Sequence, residues 1–285
     1  MILENNKIKF FVLGGLFLAA FLIWLALWQA SPAALRVIFF DVGQGAAVFI
    51  EAPNKNQVLI DGGPGSQILN KLGQTMPFFD HYIDLLILTH PDSDHLNGLV
   101  EVLKKYQVGQ VLEPCFEDAS ASYQEWLRLI QQKKITRVCA FAGQKVVIAD
   151  NLELDVLHPF QEVKNISAKN TNEVSVAAKL IYGQGKILLT GDTEKPAEYQ
   201  MLGLGTDLIS QILQVAHHGS KTSTTQEFLN AVKPEIVVIQ VGKNNRYGHP
   251  HQEVLERLKG VKIYRTDLDG DVEFLCGLEK CVIEK

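Results

Sequence analysis

Hydropathy along this chain falls into two regimes. From Phe10 to Trp28 every position is apolar or glycine and none is charged. Coiled as a helix, such a run rises roughly 28 Å, against about 30 Å for a bilayer core. Apolar side chains occupy every face, so a helix buried on one side of a globular domain fits poorly. Residues 10–30 are therefore expected to form a transmembrane signal anchor, after a cytoplasmic segment of residues 1–9. Lys7 and Lys9 precede the run, and Trp24 and Trp28 stand near its far end, which orients the amino terminus inward. The small residues Ser31-Pro32-Ala33 support an alternative, a signal peptide removed by cleavage. Either way the remainder is exported.

Beyond a short linker at residues 31–35, the pattern becomes one of brief apolar runs broken by glycine turns, and residues 36–285 are expected to form one domain. Strands are predicted over Leu35 to Val42, Ala46 to Glu51, Gln57 to Asp61 and the apolar run Ile83 to Leu88. Helical spacing follows at Gln67 to Gly73 and at His95 to Tyr106, where Leu96, Leu99, Val100 and Leu103 share a face. The rhythm continues with a strand at Val108 to Leu112, a helix at Ser122 to Gln132 and strands at Ile135 to Phe141, Lys145 to Ile148 and Leu152 to Leu157. Then come strands at Val174 to Tyr182 and Lys186 to Thr190, a helix at Pro196 to Leu202, strands at Leu208 to Val215 and Ile236 to Val241, and a helix at His251 to Leu258. The class is α/β (α+β), with two strand-rich halves suited to a two-sheet sandwich covered by helices.

Composition adds limits. With 47% hydrophobic and 21% charged residues the chain is globular rather than disordered. A formal net charge of −5 argues against a general nucleic-acid coat, while leaving room for an enzyme that grips a few phosphates locally. The four cysteines, Cys115, Cys139, Cys276 and Cys281, lack zinc-ribbon spacing; two disulfides and four buried thiols both fit.

Candidate chemistry gathers where predicted strands end. His90-Pro91-Asp92-Ser93-Asp94-His95 sets imidazoles and carboxylates together after a buried strand, as a divalent metal site requires. Asp192, His217 and His249 also follow strands, so His90, Asp92, Asp94, His95, Asp192, His217 and His249 form the candidate ligand set. Asp267, Asp269 and Asp271 have the look of a calcium loop, but Asp269-Gly270 between strand-like segments reads as a hairpin turn.

These residues carry a resemblance. Val58-Leu59-Ile60-Asp61-Gly62-Gly63, the string His90 to His95, and Leu188-Leu189-Thr190-Gly191-Asp192 resemble successive motifs of the metallo-β-lactamase fold, a four-layer αβ/βα sandwich. Phe40-Asp41-Val42-Gly43-Gln44-Gly45, Asn172 with Ser175, His217-His218-Gly219-Ser220 and Tyr247-Gly248-His249-Pro250 resemble the hydrolase-like domain of ComEC-type DNA-uptake proteins. Asp92 stands where the superfamily usually has a second histidine, and the Asn172 to Ser175 region replaces another; the ComEC-type branch shares both departures. The resemblance implies two divalent ions, zinc or manganese first and magnesium as the alternative, with the oxygen-rich donor set shifting the balance toward phosphate chemistry.

By matched position, one ion belongs to His90, Asp92 and His217, a second to Asp94, His95 and His249, and Asp192 bridges them. The implied catalytic residues are Asp94, orienting or deprotonating an activated water, His218 at the developing oxyanion or the leaving group, and Lys221 on substrate phosphate. Asp41, Asp61, Asn172, Ser175 and Ser220 are expected to brace these groups or touch substrate. The expected activity is that of a phosphodiesterase or nuclease on DNA or another phosphodiester outside the cytoplasmic membrane, working beside a separate uptake channel, because one helix cannot form a conduit. Small-ester, lactone or β-lactam hydrolysis and a noncatalytic tethered binding module are the rival readings.

Overall fold

The computed structural model describes residues 2–30, 34–116, 118–163, 170–203 and 205–284, with side chains of the first helix described from Lys9 to Trp24. Two compact units result, residues 1–33 and 34–285. In the first, α1 (Ile2–Ala30) is a continuous helix whose described side chains are all exposed. Among the described residues no helix is long and apolar enough to cross a membrane. The predicted span extends past these side chains, and residues 31–33 of the predicted linker lie outside the described residues.

The second unit is built on two mixed sheets. Its elements are β1 (Leu35–Phe39), β2 (Val48–Glu51), β3 (Gln57–Ile60), α2 (Gln67–Thr75), β4 (Tyr82–Ile87), α3 (Ser93–Lys105), β5 (Gln107–Glu113), α4 (Ala121–Lys133) and β6 (Thr136–Cys139). The chain then crosses to β7 (Lys145–Ala149), β8 (Leu152–His158), β9 (Ala177–Tyr182), β10 (Gly185–Leu189), α5 (Lys195–Gly203), β11 (Ile212–Gln214), α6 (Gln226–Val232), β12 (Ile236–Ile239), α7 (Gln252–Arg257) and β13 (Lys262–Arg265). A single turn, α8 (Thr266–Asp269), leads back to β14 (Val272–Cys276) and β15 (Cys281–Ile283). The eight-stranded sheet has the order β15-β14-β1-β2-β3-β4-β5-β6, and the seven-stranded sheet β13-β12-β11-β10-β9-β8-β7.

Three apolar layers hold the sandwich. Val37, Phe39, Ile60, Ile87 and Phe274 of the first sheet pack on Leu154, Leu180, Ile187, Leu189 and Val238 of the second. Leu72, Leu96, Leu99, Leu103 and Trp126 seat α2, α3 and α4 on the outer face of the first sheet. Met201, Phe228, Leu229 and Val254 do the same for α5, α6 and α7 on the second. This is the αβ/βα arrangement expected from the sequence. Both faces of the central strands are covered, which is why Ile83 to Leu88 is nearly continuous apolar sequence rather than alternating.

Several boundaries differ from those expected. Helix α3 begins at Ser93, two residues earlier than predicted, because Asp92 holds an extended backbone at the N-cap position and puts Asp94 and His95 in the first turn. The strand expected from Val174 begins instead at Ala177, because Val174 closes a 3-10 turn over Thr171–Val174. Leu208 to Gln211 precede β11 rather than belonging to it. The expected hairpin at Asp269-Gly270 is absent: β13 and β14 lie in different sheets. Asp267 pairs with the Arg265 guanidinium at 3.0 and 2.7 Å, Asp269 accepts from Arg265 N–H at 2.7 Å, and Asp271 accepts from Asp41 N–H and from Lys71. All three carboxylates are thus engaged within the fold.

Candidate metal centre

The loops following β3, β4, β10, β11 and β12 meet at one end of the sandwich. Glycines permit the approach: Gly62 N–H donates to His95 O and Gly98 N–H to Gly63 O, so the loop after β3 lies directly on α3. A Cβ on Gly62 of the loop or on Gly98 of the helix would overlap the backbone of the other segment, and one on Gly45 would overlap the Asp94 carbonyl.

His95 is fully buried, with Nδ1 at 2.7 Å from Asp61 Oδ2. Asp61 also accepts from Thr89 N–H and Thr89 Oγ1 at 2.8 and 2.7 Å, which fixes the carboxylate. Nε2 of His95 therefore faces inward, 3.3 Å from Asp192 Oδ1 and 3.4 Å from His218 Nε2. His218 donates Nδ1–H to the Gln240 carbonyl at 2.8 Å, turning its own Nε2 toward Asp94 and Asp192, each at 3.4 Å. A ligand histidine tied through its other nitrogen is the usual arrangement around a metal.

His90 packs its ring 4.2 Å from that of His95. Its Nε2 is buried without a hydrogen-bond partner, 3.7 Å from Asp92 Oδ2 and 3.9 Å from Asp192 Oδ2. Two sets of donor atoms lie within 4.8 Å of one another: His90, His95 and Asp192, and Asp94, His95 and His218. The orphaned His90 nitrogen, the inward Nε2 atoms and the surrounding carboxylates fit divalent cations.

Electrostatics follow from this crowding. Burial opposes charge on His95, yet the carboxylates of Asp192 and Asp61 hold its imidazolium well above the usual range. Burial likewise opposes charge on His218, but Asp192 and the Asp94 hydrogen bond raise it. Asp192 is buried too, which by itself favours protonation; His218 and His95 keep it well below the ordinary carboxylate range. In the same way burial of Asp94 is outweighed by His218 and His95, and its pKa falls to about 2.

The other expected residues take distinct places. His217 Nδ1 lies 3.2 Å from Glu194 Oε1 and its Nε2 3.8 Å from Asp192. His218, expected to act on the substrate, occupies the place beside Asp94 and His95 that the matched positions gave to His249. His249 stands farther out, its ring 5.6 Å from that of His217, 6.4 Å from that of His218 and 4.8 Å from that of His251. Burial and these neighbouring imidazoles push His249 down to about 4. His217 and His218 both adopt left-handed backbone, φ 50° and 54°, which lets adjacent residues aim into the same centre. Thr171 Oγ1 donates to Asp92 Oδ1, while Asn172 Oδ1 is buried without a partner. Ser175 Oγ accepts from Asp192 N–H at 3.0 Å. Asp41 accepts from Gly43 N–H at 3.1 Å and braces its loop. Ser220 Oγ pairs with Thr222 Oγ1 at 2.9 Å, and exposed Lys221 donates its N–H to His251 Nδ1 at 3.2 Å.

Sequence reasoning missed Thr89, Thr171, Glu194, Gln214 and Gln240. The two glutamines form a buried bridge: Gln214 Oε1 accepts from Thr190 N–H, Gln214 Nε2 donates to Gln240 Oε1, and Gln240 Nε2 donates to Phe40 O and Ala47 O. The signal was a lone amide at the end of each apolar run, Ile212 to Gln214 and Ile236 to Gln240.

Comparisons agree with this geometry. Residues 40–243 match the family described as the metallo-beta-lactamase superfamily. The chain is 29% identical over 293 residues to ComE operon protein 3 of Bacillus subtilis (strain 168), covering 96% of this chain and 37% of that protein. It is 30% identical over 250 residues to competence protein ComA of Neisseria gonorrhoeae, covering 87% and 33%. The chain thus spans about a third of the length of these curated relatives. Among solved structures, Igni18, a metallo hydrolase from the archaeon Ignicoccus hospitalis KIN4/I, shares the fold with a TM-score of 0.54 at 16% identity, covering 85% of this chain and all of that one. With its motifs converging from both sheets and the family match spanning most of the sandwich, the chain belongs to the metallo-β-lactamase superfamily, with ComEC-type competence proteins among its relatives.

Proposed function

We propose that this chain is a metal-dependent phosphodiesterase acting on DNA outside the cytoplasmic membrane. The observation that carries the reading is the donor set: His90, Asp94, His95, Asp192 and His218 converge, and Asp92 supplies a further oxygen beside His90. His90, Asp92 and Asp192 would hold one cation; Asp94, His95 and His218 would hold a second, with Asp192 between them. Divalent ions in such a site supply Lewis-acid polarisation of phosphoryl oxygens and lower the pKa of bound water. An oxygen-rich set suits hard cations and phosphoryl groups better than an all-histidine one.

The residues of the chain divide the remaining work. Asp94, with its pKa near 2, is a permanent anion near neutrality, suited to holding a cation rather than carrying a proton. His249, held down to about 4, is neutral near pH 7 and presents a base at the mouth of the site. Arg246, its guanidinium over the Tyr247 ring at 5.1 Å, would give that mouth positive charge for phosphate, with Lys221, whose backbone N–H donates to His251 Nδ1, as a second cation in the same stretch of surface loops.

The export part of the reading rests on the uncharged run Phe10 to Trp28 preceded by Lys7 and Lys9, taken as a membrane anchor. The disulfides Cys115–Cys139 and Cys276–Cys281 fit an oxidising compartment. The similarity to proteins named for competence supports a DNA-related role, and with it DNA as the substrate.

The test is turnover by the full chain loaded with manganese or zinc, using bis-nitrophenyl phosphate, linear DNA and nitrocefin, beside H95A and D192N. Hydrolysis of both phosphodiesters, lost in both variants, is expected. Turnover of nitrocefin alone would select the lactam and ester reading; no turnover with tight metal binding would select the noncatalytic module.

A further inference from the structure

The end of the sandwich opposite the metal centre carries an exposed aromatic tip. Phe78 and Phe79, in the loop from α2 to β4, are 88% and 74% exposed, and their rings pack edge to face at 5.3 Å. Two adjacent phenylalanines held this far into water are costly to a surface that meets nothing else.

What surrounds the tip is basic. Strands β3, β4, β5 and β6 run parallel, so their first residues, Gln57, Tyr82, Gln107 and Thr136, share one end of the sheet. Helices α3 and α4 each end there, bringing exposed Lys104, Lys105, Lys133 and Lys134 to the same end. His81 carries the aromatic loop onto this surface, meeting the Tyr106 ring edge to face at 5.5 Å and accepting Gln107 N–H at its carbonyl. Lys133 Nζ donates to the Tyr106 carbonyl at 3.0 Å and Lys104 pairs with Glu101 at 2.7 Å, while Lys105 and Lys134 extend the positive stripe. The acids at this end are each engaged: Asp80 by Gln57 Nε2 and Tyr82 N–H, Asp84 by Gln57 N–H, Glu51 by Lys55 and Glu101 by Lys104.

β1 and β3 are both antiparallel to β2, so the polypeptide enters the domain at Leu35 from this same end. Aromatic side chains flanked by lysines, at the end where β1 begins, match the chemistry of an anionic bilayer surface, with rings at the acyl boundary and ammonium groups among headgroup phosphates.

We propose that the Phe78-Phe79 loop and the lysines at the ends of α3 and α4 form a membrane-contact face for anionic phospholipid, holding the metal centre on the side away from the bilayer. The proposal rests on the anchor reading above. It is tested by hydrogen exchange of the full chain in phosphatidylglycerol vesicles, in phosphatidylcholine vesicles and in detergent, with an alkaline carbonate wash reporting retention by the anchor. In anionic vesicles, exchange across residues 76–82 slows about threefold or more relative to detergent, with less slowing in neutral vesicles and none across residues 243–249. F78S/F79S loses the slowing while the chain stays retained, and K105E/K134E loses the preference for anionic lipid. Retained protein with unchanged exchange at 76–82, or protection at 243–249 instead, overturns the contact face and leaves the anchor standing. Protein released by the wash overturns both. Concentration-dependent self-association in detergent that F78S/F79S abolishes would assign the face to a second copy and overturn the lipid proposal.

Discussion

Asp61 shows how a residue remote from the substrate sets the chemistry of the centre. Its carboxylate takes both Thr89 donors and the His95 Nδ1 proton, so His95 presents Nε2 inward and in no other orientation. Asp61→Asn is expected to weaken metal binding about 10- to 100-fold with the fold intact, measured by competition against a chromophoric chelator. A pH effect follows from the same groups. His95 and His218 are held above the ordinary histidine range, and each must shed a proton from Nε2 before that atom can ligate. Metal affinity should therefore rise as pH increases through their titration, with protons released on binding; calorimetry in buffers of different ionisation enthalpy reads both, and an affinity independent of pH would refute it. The sequence made His90 to His95 and Asp192 legible as ligand types because their chemistry is written in the side chain. It assigned His217 and His249 to the ions and His218 to the substrate, whereas His218 turns its Nε2 to Asp94 and Asp192 and His249 stands farther out; which of two adjacent imidazoles faces inward is decided by left-handed backbone and by a Gln240 carbonyl, neither of which composition records.

At the scale of elements, the first two turns of α3 act as a bracket that must sit against the loop after β3. Gly62 and Gly98 meet backbone to backbone there, and any Cβ at either position forces the helix away. Gly98→Ala should cost about 1–3 kcal/mol in urea unfolding and lower metal affinity, because the displaced helix carries Asp94 and His95. Gly73→Ala, on α2 with open space around it, should do neither. Strand and helix positions were readable from periodicity wherever an apolar face meets a core, as at Leu96, Leu99 and Leu103. Misreadings fell at edges. The Asp267 to Asp271 stretch imitates a hairpin locally, while its carboxylates are consumed by Arg265, Asp41 and Lys71 as the chain changes sheets, a long-range outcome invisible in a short window.

For the whole molecule, two disulfides clip the sandwich at opposite margins of its eight-stranded sheet. Cys115–Cys139 ties the segment after β5 to the edge strand β6 over a sequence separation of 24, and Cys276–Cys281 closes the β14–β15 hairpin. Removing the first bridge as C115A/C139A should destabilise the domain by about 3 kcal/mol, read as a lower urea midpoint that added reductant reproduces in the unmodified protein. A midpoint insensitive to reductant would show that the bridge contributes nothing. The four cysteines alone did not disclose their pairing, because pairing depends on strand order across the sheet. Strand order also places Leu35 and Phe78-Phe79 at one end and the metal centre at the other, giving the molecule a polarity that no local pattern announces.

The consecutive left-handed histidines carry a consequence for engineering this protein. A non-glycine residue in that conformation costs roughly 1–2 kcal/mol, so His217 and His218 are conspicuous targets for any campaign that seeks heat tolerance by relaxing backbone. Glycine or asparagine at either position would relieve that backbone cost and remove an imidazole from the centre. Selection for robustness and selection for turnover therefore pull this segment in opposite directions, and a library screened on solubility alone would drift toward sturdy, inert variants.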